Sequence, residues 1–135
     1  MEGSRVFFTF CSAKKNDSLC DSGLAVSPDV LYTSRRVRHF MARCKARKVP
    51  WAIFSDKYGV WFPQMKHTWY EMSPDEPLPQ FRHLLADFDE KMKDFDIIHF
   101  CPGAGGHRVH RLYRKLVRES RWNDRIRTTL FRDIA

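Results

Sequence analysis

The sequence predicts an α/β domain built as a small doubly wound parallel sheet, Rossmann- or flavodoxin-like, flanked by helices. Three observations carry that expectation. Short runs rich in β-branched and aromatic residues occur at 6–11, 51–55 and 97–100. Segments with apolar residues at helical spacing separate them, and each run ends in polar or glycine-rich turn residues. Strands alternating with crossover helices call for a parallel sheet covered on both faces. At 135 residues, the chain fits one such domain spanning 1–135.

The first run, Val6-Phe7-Phe8-Thr9-Phe10-Cys11, reads as a buried strand that stops at Ser12-Ala13-Lys14-Lys15. Residues 16–29, rich in Ser, Asp, Asn, Gly and Pro, read as a loop longer than most connections, a length that often carries function. Thr33 or Ser34 can cap the next helix, whose Val37, Phe40, Met41 and Cys44 fall on one face. Its other face bears Arg35, Arg36, Arg38, Arg43, Lys45, Arg47 and Lys48 with no acid between 35 and 48. Pro50 ends that helix, and Trp51–Ser55 is a second strand breaking at Asp56-Lys57-Tyr58-Gly59. Residues 60–63 read as a short extended piece, with room for another strand within 60–70.

The following helix has Pro79 near its start and a stripe of Phe81, Leu84, Leu85, Phe88, Met92 and Phe95. From 75 to 96 there are seven acids and three bases, net −4, which sets this helix apart from any nucleic-acid face. Ile97–Phe100 is a third strand, closed by Cys101-Pro102-Gly103-Ala104-Gly105-Gly106. A helix is expected from about His107, with Val109, Leu112, Tyr113, Leu116 and Val117 inward. The four-residue spacing of Trp122, Ile126, Leu130 and Ile134 predicts one more helix.

Composition narrows the partners. Twenty-four Lys+Arg against 16 Asp+Glu leave a net charge of +8, which suits an anionic partner: a nucleotide, or DNA or RNA. No apolar run approaches the roughly 18 residues of a membrane span, and no secretory signal is visible, so a cytoplasmic protein is expected. The cysteines Cys11, Cys20, Cys44 and Cys101 form no C-x-x-C pair, so a zinc site is not expected; no other metal and no cofactor is expected either.

In an open parallel sheet, ligands bind at the carboxyl ends of the strands, and all three ends here are chemically loaded. Gly103, Gly105 and Gly106 before a helix suit an anion, with Arg108 beside them and His107 as a further anion contact or a general acid/base. Ser12 and Ser55 can serve as nucleophiles or hydroxyl donors. Cys11 reads either as a thiolate favoured by Lys14 and Lys15 or as a buried thiol. Lys57 and Tyr58 can hold a phosphate or an aromatic base, and Trp69 and Tyr70 lie in a loop able to stack on a base. Trp61, Phe62 and Trp69, if exposed, suit a homodimer interface as well as a base pocket.

The motifs Cys11-Ser12-x-x-Lys15, Leu31-Tyr32-x-Ser34 and Ser55-x-Lys57-Tyr58-Gly59, with Pro63 and Tyr70 following, resemble a family of small uncharacterised domains from bacteria, archaea and phages. Gly103–Gly106, His107-Arg108 and Tyr113 resemble that family's third strand end, so the likeness runs over most of residues 6–117. Asp56 stands where the family pattern has alanine, and 60–62 is aromatic where the pattern has an aliphatic pair. The Cys-Ser-x-x-Lys strand end is more distantly similar to archaeosine synthase, which modifies a deazaguanine base in tRNA, and the layout to a peroxide-stress family that binds DNA.

The resemblance implies nucleobase or nucleic-acid chemistry. The expectation is an enzyme that acts on a nucleobase or on the base–sugar (N-glycosidic) bond. Ser12, Ser55, Cys11 and Tyr70 would hold the ligand, Lys15 and Lys57 would neutralise charge, and Tyr58 or His107 would move a proton. Arg35, Arg36, Arg38, Arg111 and Arg114 would hold a polymer backbone. Asp56 and Glu71 are the nearest carboxylates for glycosyl transfer. The alternatives are a non-enzymatic nucleic-acid-binding module and a subunit of a larger complex.

Overall fold

Strand β1 (Arg5–Phe10) is buried from Val6 onward, and the sheet grows from it on both sides. The computed structural model describes residues 4–71, 80–103 and 109–135. Within them lie β1, α1 (Pro28–Leu31), α2 (Arg35–Arg47), β2 (Trp51–Ser55), β3 (Gly59–Trp61), α3 (Phe81–Met92), β4 (Ile97–Phe100), α4 (Arg111–Glu119) and β5 (Ile126–Thr128). The strands form one five-stranded sheet in the order β3-β2-β1-β4-β5. β1 pairs in parallel with β2 and β4, and β4 in parallel with β5. Only β3 runs antiparallel, as the return arm of a hairpin from β2. The expected α/β class therefore holds, with five strands rather than three.

Strand alternation sends residues to two helical layers. Phe8, Phe10 and Phe54 meet α3 and α4: the Phe88 ring lies 5.3 Å from Phe8 and 6.0 Å from Phe54, and Tyr113 stacks on Phe10 at 4.7 Å. Phe7, Thr9 and Trp51 face the other way, toward α2 and the C-terminal turn, where Phe40 touches both Trp51 and Phe131. Ser34 is the residue that caps α2, its Oγ accepting from the Val37 N–H at 3.3 Å. The inward stripe Val37, Phe40, Met41 and Cys44 is fully buried, as its spacing predicts.

Three expectations are corrected. Residues 122–134 are not a helix: a 3-10 turn leads into β5, and another follows at Phe131–Asp133. Ile126 aligns with Ile98 and Thr128 with Phe100, so the unpaired edge of β4 takes the segment as a strand, and tertiary pairing overrides the four-residue spacing. α4 begins at Arg111 rather than near His107. His110 stays extended and caps the helix, its Nδ1 accepting from the Leu112 N–H at 3.1 Å. Trp61 is not an exposed aromatic. It is fully buried, edge-on to Tyr32, with its indole N–H donating to the Met65 carbonyl, and Phe62 and Trp69 are half-buried around the same core.

Candidate active site at the carboxyl edge of the sheet

The segments singled out by their motifs converge beyond the carboxyl ends of β1 and β2. Lys15 forms an isolated bridge with Tyr32, closed by the Asn16 N–H to the Leu31 carbonyl at 2.7 Å and the Thr33 N–H to the Lys14 carbonyl at 3.3 Å. Tyr32 then places its hydroxyl 2.6 Å from that of Tyr70, to which the Ser55 hydroxyl donates at 3.2 Å. Ser55 is also the anchor of the turn that ends β2, since its Oγ accepts from the N–H groups of Lys57 and Tyr58 at 3.1 and 3.0 Å.

Next to the phenols sits a buried carboxylate. Asp56 is 3% exposed, and it accepts a hydrogen bond from the Cys11 thiol at 3.5 Å. The same sulfur lies 3.4 Å from the hydroxyl of Tyr113, which projects inward from α4. The Lys15 ammonium, itself buried, lies 4.3 Å over the ring of Tyr70. One carboxylate, one thiol, one ammonium and three phenols therefore share a largely dry site drawn from both sides of β1.

Burial sets the protonation states. Loss of hydration pushes the Asp56 carboxyl above its usual range, although the Cys11 thiol, the Tyr70 hydroxyl and the Lys15 charge each favour the anion. Burial, with Asp56 alongside, pushes the Cys11 thiol up to about 11, so at neutral pH Cys11 is a neutral donor rather than a thiolate nucleophile. Tyr32, Tyr70 and Tyr113 are all raised by burial and stay protonated.

A cleft of about 560 Å³ opens beside this cluster. Phe10, Cys11 and Ser12 from the end of β1, Ser34, Arg35, Arg36 and His39 from the start of α2, and Phe131 line it. β1 and β4 are neighbours whose onward connections leave in opposite directions, which is where open α/β sheets form a binding crevice. The first turn of α2 holds no acid and opens with two arginines, so amide N–H groups, guanidinium groups and hydroxyls meet at one end of the cleft.

The expected site residues are distributed unevenly. Cys11, Lys15, Ser55 and Tyr70 belong to the buried cluster, and Tyr70 is inside it rather than in a loop over it. Ser12 lines the cleft, with its Oγ accepting from the Lys14 N–H at 3.2 Å. Lys57 is exposed at the turn. The Tyr58 hydroxyl bonds to Thr68 rather than to the cluster, and its ring stacks on His67 at 4.0 Å.

Arg35 and Arg38 are exposed on α2, whereas Arg36 turns inward. Its guanidinium donates to the Thr9 hydroxyl at 2.6 Å and the Phe10 carbonyl at 2.8 Å, and it lies 3.9 Å over the Phe10 ring. Arg111 and Arg114 are exposed on α4. Gly103 follows β4 with φ +117°. The expectations for Gly105, Gly106, His107 and Arg108 lie outside the described residues.

Tyr32 and Tyr113 were visible in the motifs but had no assigned role, and Asp56 was named only as one of two nearby carboxylates, with nothing in the sequence to show that it is buried. Among the described residues no group of three His, Cys, Asp or Glu side chains is placed to hold a metal ion, and no helix is long and apolar enough to cross a membrane. Comparison with protein-family models, curated proteins and solved structures finds no match.

Proposed function

We propose that the protein is an enzyme acting on a nucleobase or on a base–sugar bond, with Asp56 as its proton-carrying carboxylate. The observation that carries this reading is the burial of Asp56 among Cys11, Tyr70 and Lys15 at the carboxyl edge of the sheet, with Cys11, its hydrogen-bond donor, also lining a cleft whose mouth is cationic. A dry carboxylate weakens the domain, and a shifted carboxyl next to a crevice is the usual mark of a chemical site. The aromatic walls Phe10 and Phe131 suit a base, and the start of α2 suits a phosphate.

The roles follow from the protonation states. A carboxyl raised by burial holds its proton more tightly than an exposed one, which suits it to give or take a proton in a reaction. In base–sugar cleavage the bond electrons leave with the base, which takes up a proton, and water adds to the sugar carbon and loses one. Asp56 is the group able to carry either proton. Cys11 holds its carboxylate in place as a neutral donor, and the Lys15 ammonium, over the Tyr70 ring, offsets its charge.

Native mass spectrometry of protein purified from its host, before and after mild denaturation, tests this reading. A released nucleoside or nucleotide is expected, and Asp56→Asn should release intact substrate where wild type releases product. Protein that carries no such ligand, and that binds nucleic acid but returns it unaltered, would instead make it a binding module.

A further inference from the structure

Helix α4 has two faces with opposite duties. Leu112, Tyr113 and Leu116 are buried, and Tyr113 reaches the Cys11 thiol. The outward side carries Arg111, Arg114, Lys115 and Arg118, and these four cations line a groove of about 450 Å³. They sit at i, i+3, i+4 and i+7, one stripe of a helix. Glu119 is the acid beside them, 3.9 Å from Lys115 and 4.0 Å from Arg118, at the C-terminal end of the stripe. Lys115 also lies 4.5 Å over the Phe81 ring. Among the described residues, neither Arg111 nor Arg114 has an acidic partner.

Four like charges crowded on 9 residues of helix repel one another, and the single shared carboxylate of Glu119 reaches only Lys115 and Arg118. They become favourable only when an anion with several charges lies along them. From Arg111 to Arg118 the helix rises about 10 Å, which matches about three phosphates along one strand. Anionic lipid fits less well. A membrane-surface helix needs an apolar face to insert, and the apolar face of α4 is already buried in the core.

We infer that the α4 stripe is a docking groove for the phosphate backbone of a nucleic-acid strand, so that the substrate is a polymer rather than a free nucleotide. This rests on the nucleobase reading above and adds the substrate's class. The same helix then holds the strand on its outside and contributes Tyr113 to the chemical site on its inside.

Fluorescence anisotropy with a labelled mixed-sequence RNA strand, the matching DNA strand and the duplex tests the groove, each titrated over a series of salt concentrations. R111Q/R114Q keeps helix-forming, exposed side chains, and its fold is checked by circular dichroism. Wild type should bind with a steep salt dependence. The variant should lose about tenfold or more in affinity, with a log–log slope shallower by about 1.5, given about 0.7–0.9 per phosphate contact. K66Q/R82Q removes the same charge from exposed positions elsewhere and should keep the wild-type slope.

Equal binding and slope in R111Q/R114Q and wild type overturns the groove. So does wild-type protein that binds phosphatidylserine vesicles but none of the oligonucleotides. Should wild type bind no polymer yet release a nucleotide in the native mass spectrum, the groove fails while the proposed chemistry stands. Polymer binding that survives Asp56→Asn is expected, because Asp56 is not part of the stripe.

Discussion

Asp56 links the site to the stability of the domain. In the folded chain its carboxyl titrates above the ordinary value because burial disfavours the anion. The folded state therefore keeps a proton that the unfolded chain has already released. The stability this represents is complete below the ordinary carboxylate range and is lost as pH rises through the folded-state pKa. Asparagine can accept from Cys11 but cannot ionise. Asp56→Asn is thus expected to match wild type in acid and to melt higher near neutrality, by roughly 3–5 °C for each kcal/mol recovered. Thermal melts from about pH 4 to about pH 8 measure the gap, and a gap that stays constant with pH would remove Asp56 as the shifted group. The cysteines give a second check at this scale. Cys11, Cys44 and Cys101 are buried and Cys20 is exposed. Brief iodoacetamide treatment of the folded protein should add one label, at Cys20, and denatured protein should take four. Early labelling of Cys11 would contradict the neutral, enclosed thiol described here.

The β2–β3 hairpin shows how an element both forms and aims the site. Its turn needs a left-handed residue at Gly59, where φ is +74°. A side chain there would fall on the carboxylate of Asp87, which accepts from the Val60 N–H at 2.8 Å and pairs with Lys91 at 2.8 Å. Gly59→Ala is expected to destabilise the domain by about 2 kcal/mol, combining strain and the displaced carboxylate. Denaturant unfolding measures it, and repeating the change in Asp87→Ala separates the two causes: an unchanged loss would assign it to backbone strain alone. This turn was legible in the sequence, because Ser55 and Gly59 bracket it with residues that have one clear use there. The carboxylate on the other side of it was named as one of two candidates, but its burial was not legible. Asp56 follows Ser55 in an ordinary turn sequence, and its burial arises only when Cys11 from β1 and Tyr113 from α4 close over it. Tyr113 reads along the helix as one more inward apolar position until α4 packs its hydroxyl against the Cys11 thiol, and Tyr32 as part of a motif until its pairing with Lys15 brings its hydroxyl to that of Tyr70.

At the scale of the whole molecule, the sequence was readable wherever an element buries a full face and unreadable at the sheet's far edge. β1, β2 and β4 are strongly apolar, and α2 and α3 carry clean stripes, so their order alone implied the class. β5 has three residues, of which Arg127 and Thr128 are exposed, and it is a strand because β4 offers it an edge. The segment after it completes the layer over α2. Phe131 and Ile134 are buried, Phe131 reaches Phe40 and His39, the Arg43 guanidinium donates to the Arg132 carbonyl at 2.6 Å, and the Thr129 N–H donates to the Phe100 carbonyl at 2.8 Å. Phe131 is also a wall of the cleft, so the last ten positions serve the fold and the site together. A chain ended at Arg125 should therefore expose the edge of β4, uncover Phe40 and open the cleft. It is expected to lose cooperative thermal unfolding by circular dichroism and to elute as aggregate in size-exclusion chromatography, where the intact chain unfolds in one step. The milder Phe131→Ala should keep the fold while costing about 3 kcal/mol, by the usual penalty for emptying a buried aromatic site, and should weaken nucleotide binding by losing the wall of the cleft. A truncated chain that stayed folded and kept wild-type nucleotide affinity would show that β5 and the turn after it are appended to a finished domain rather than built into it.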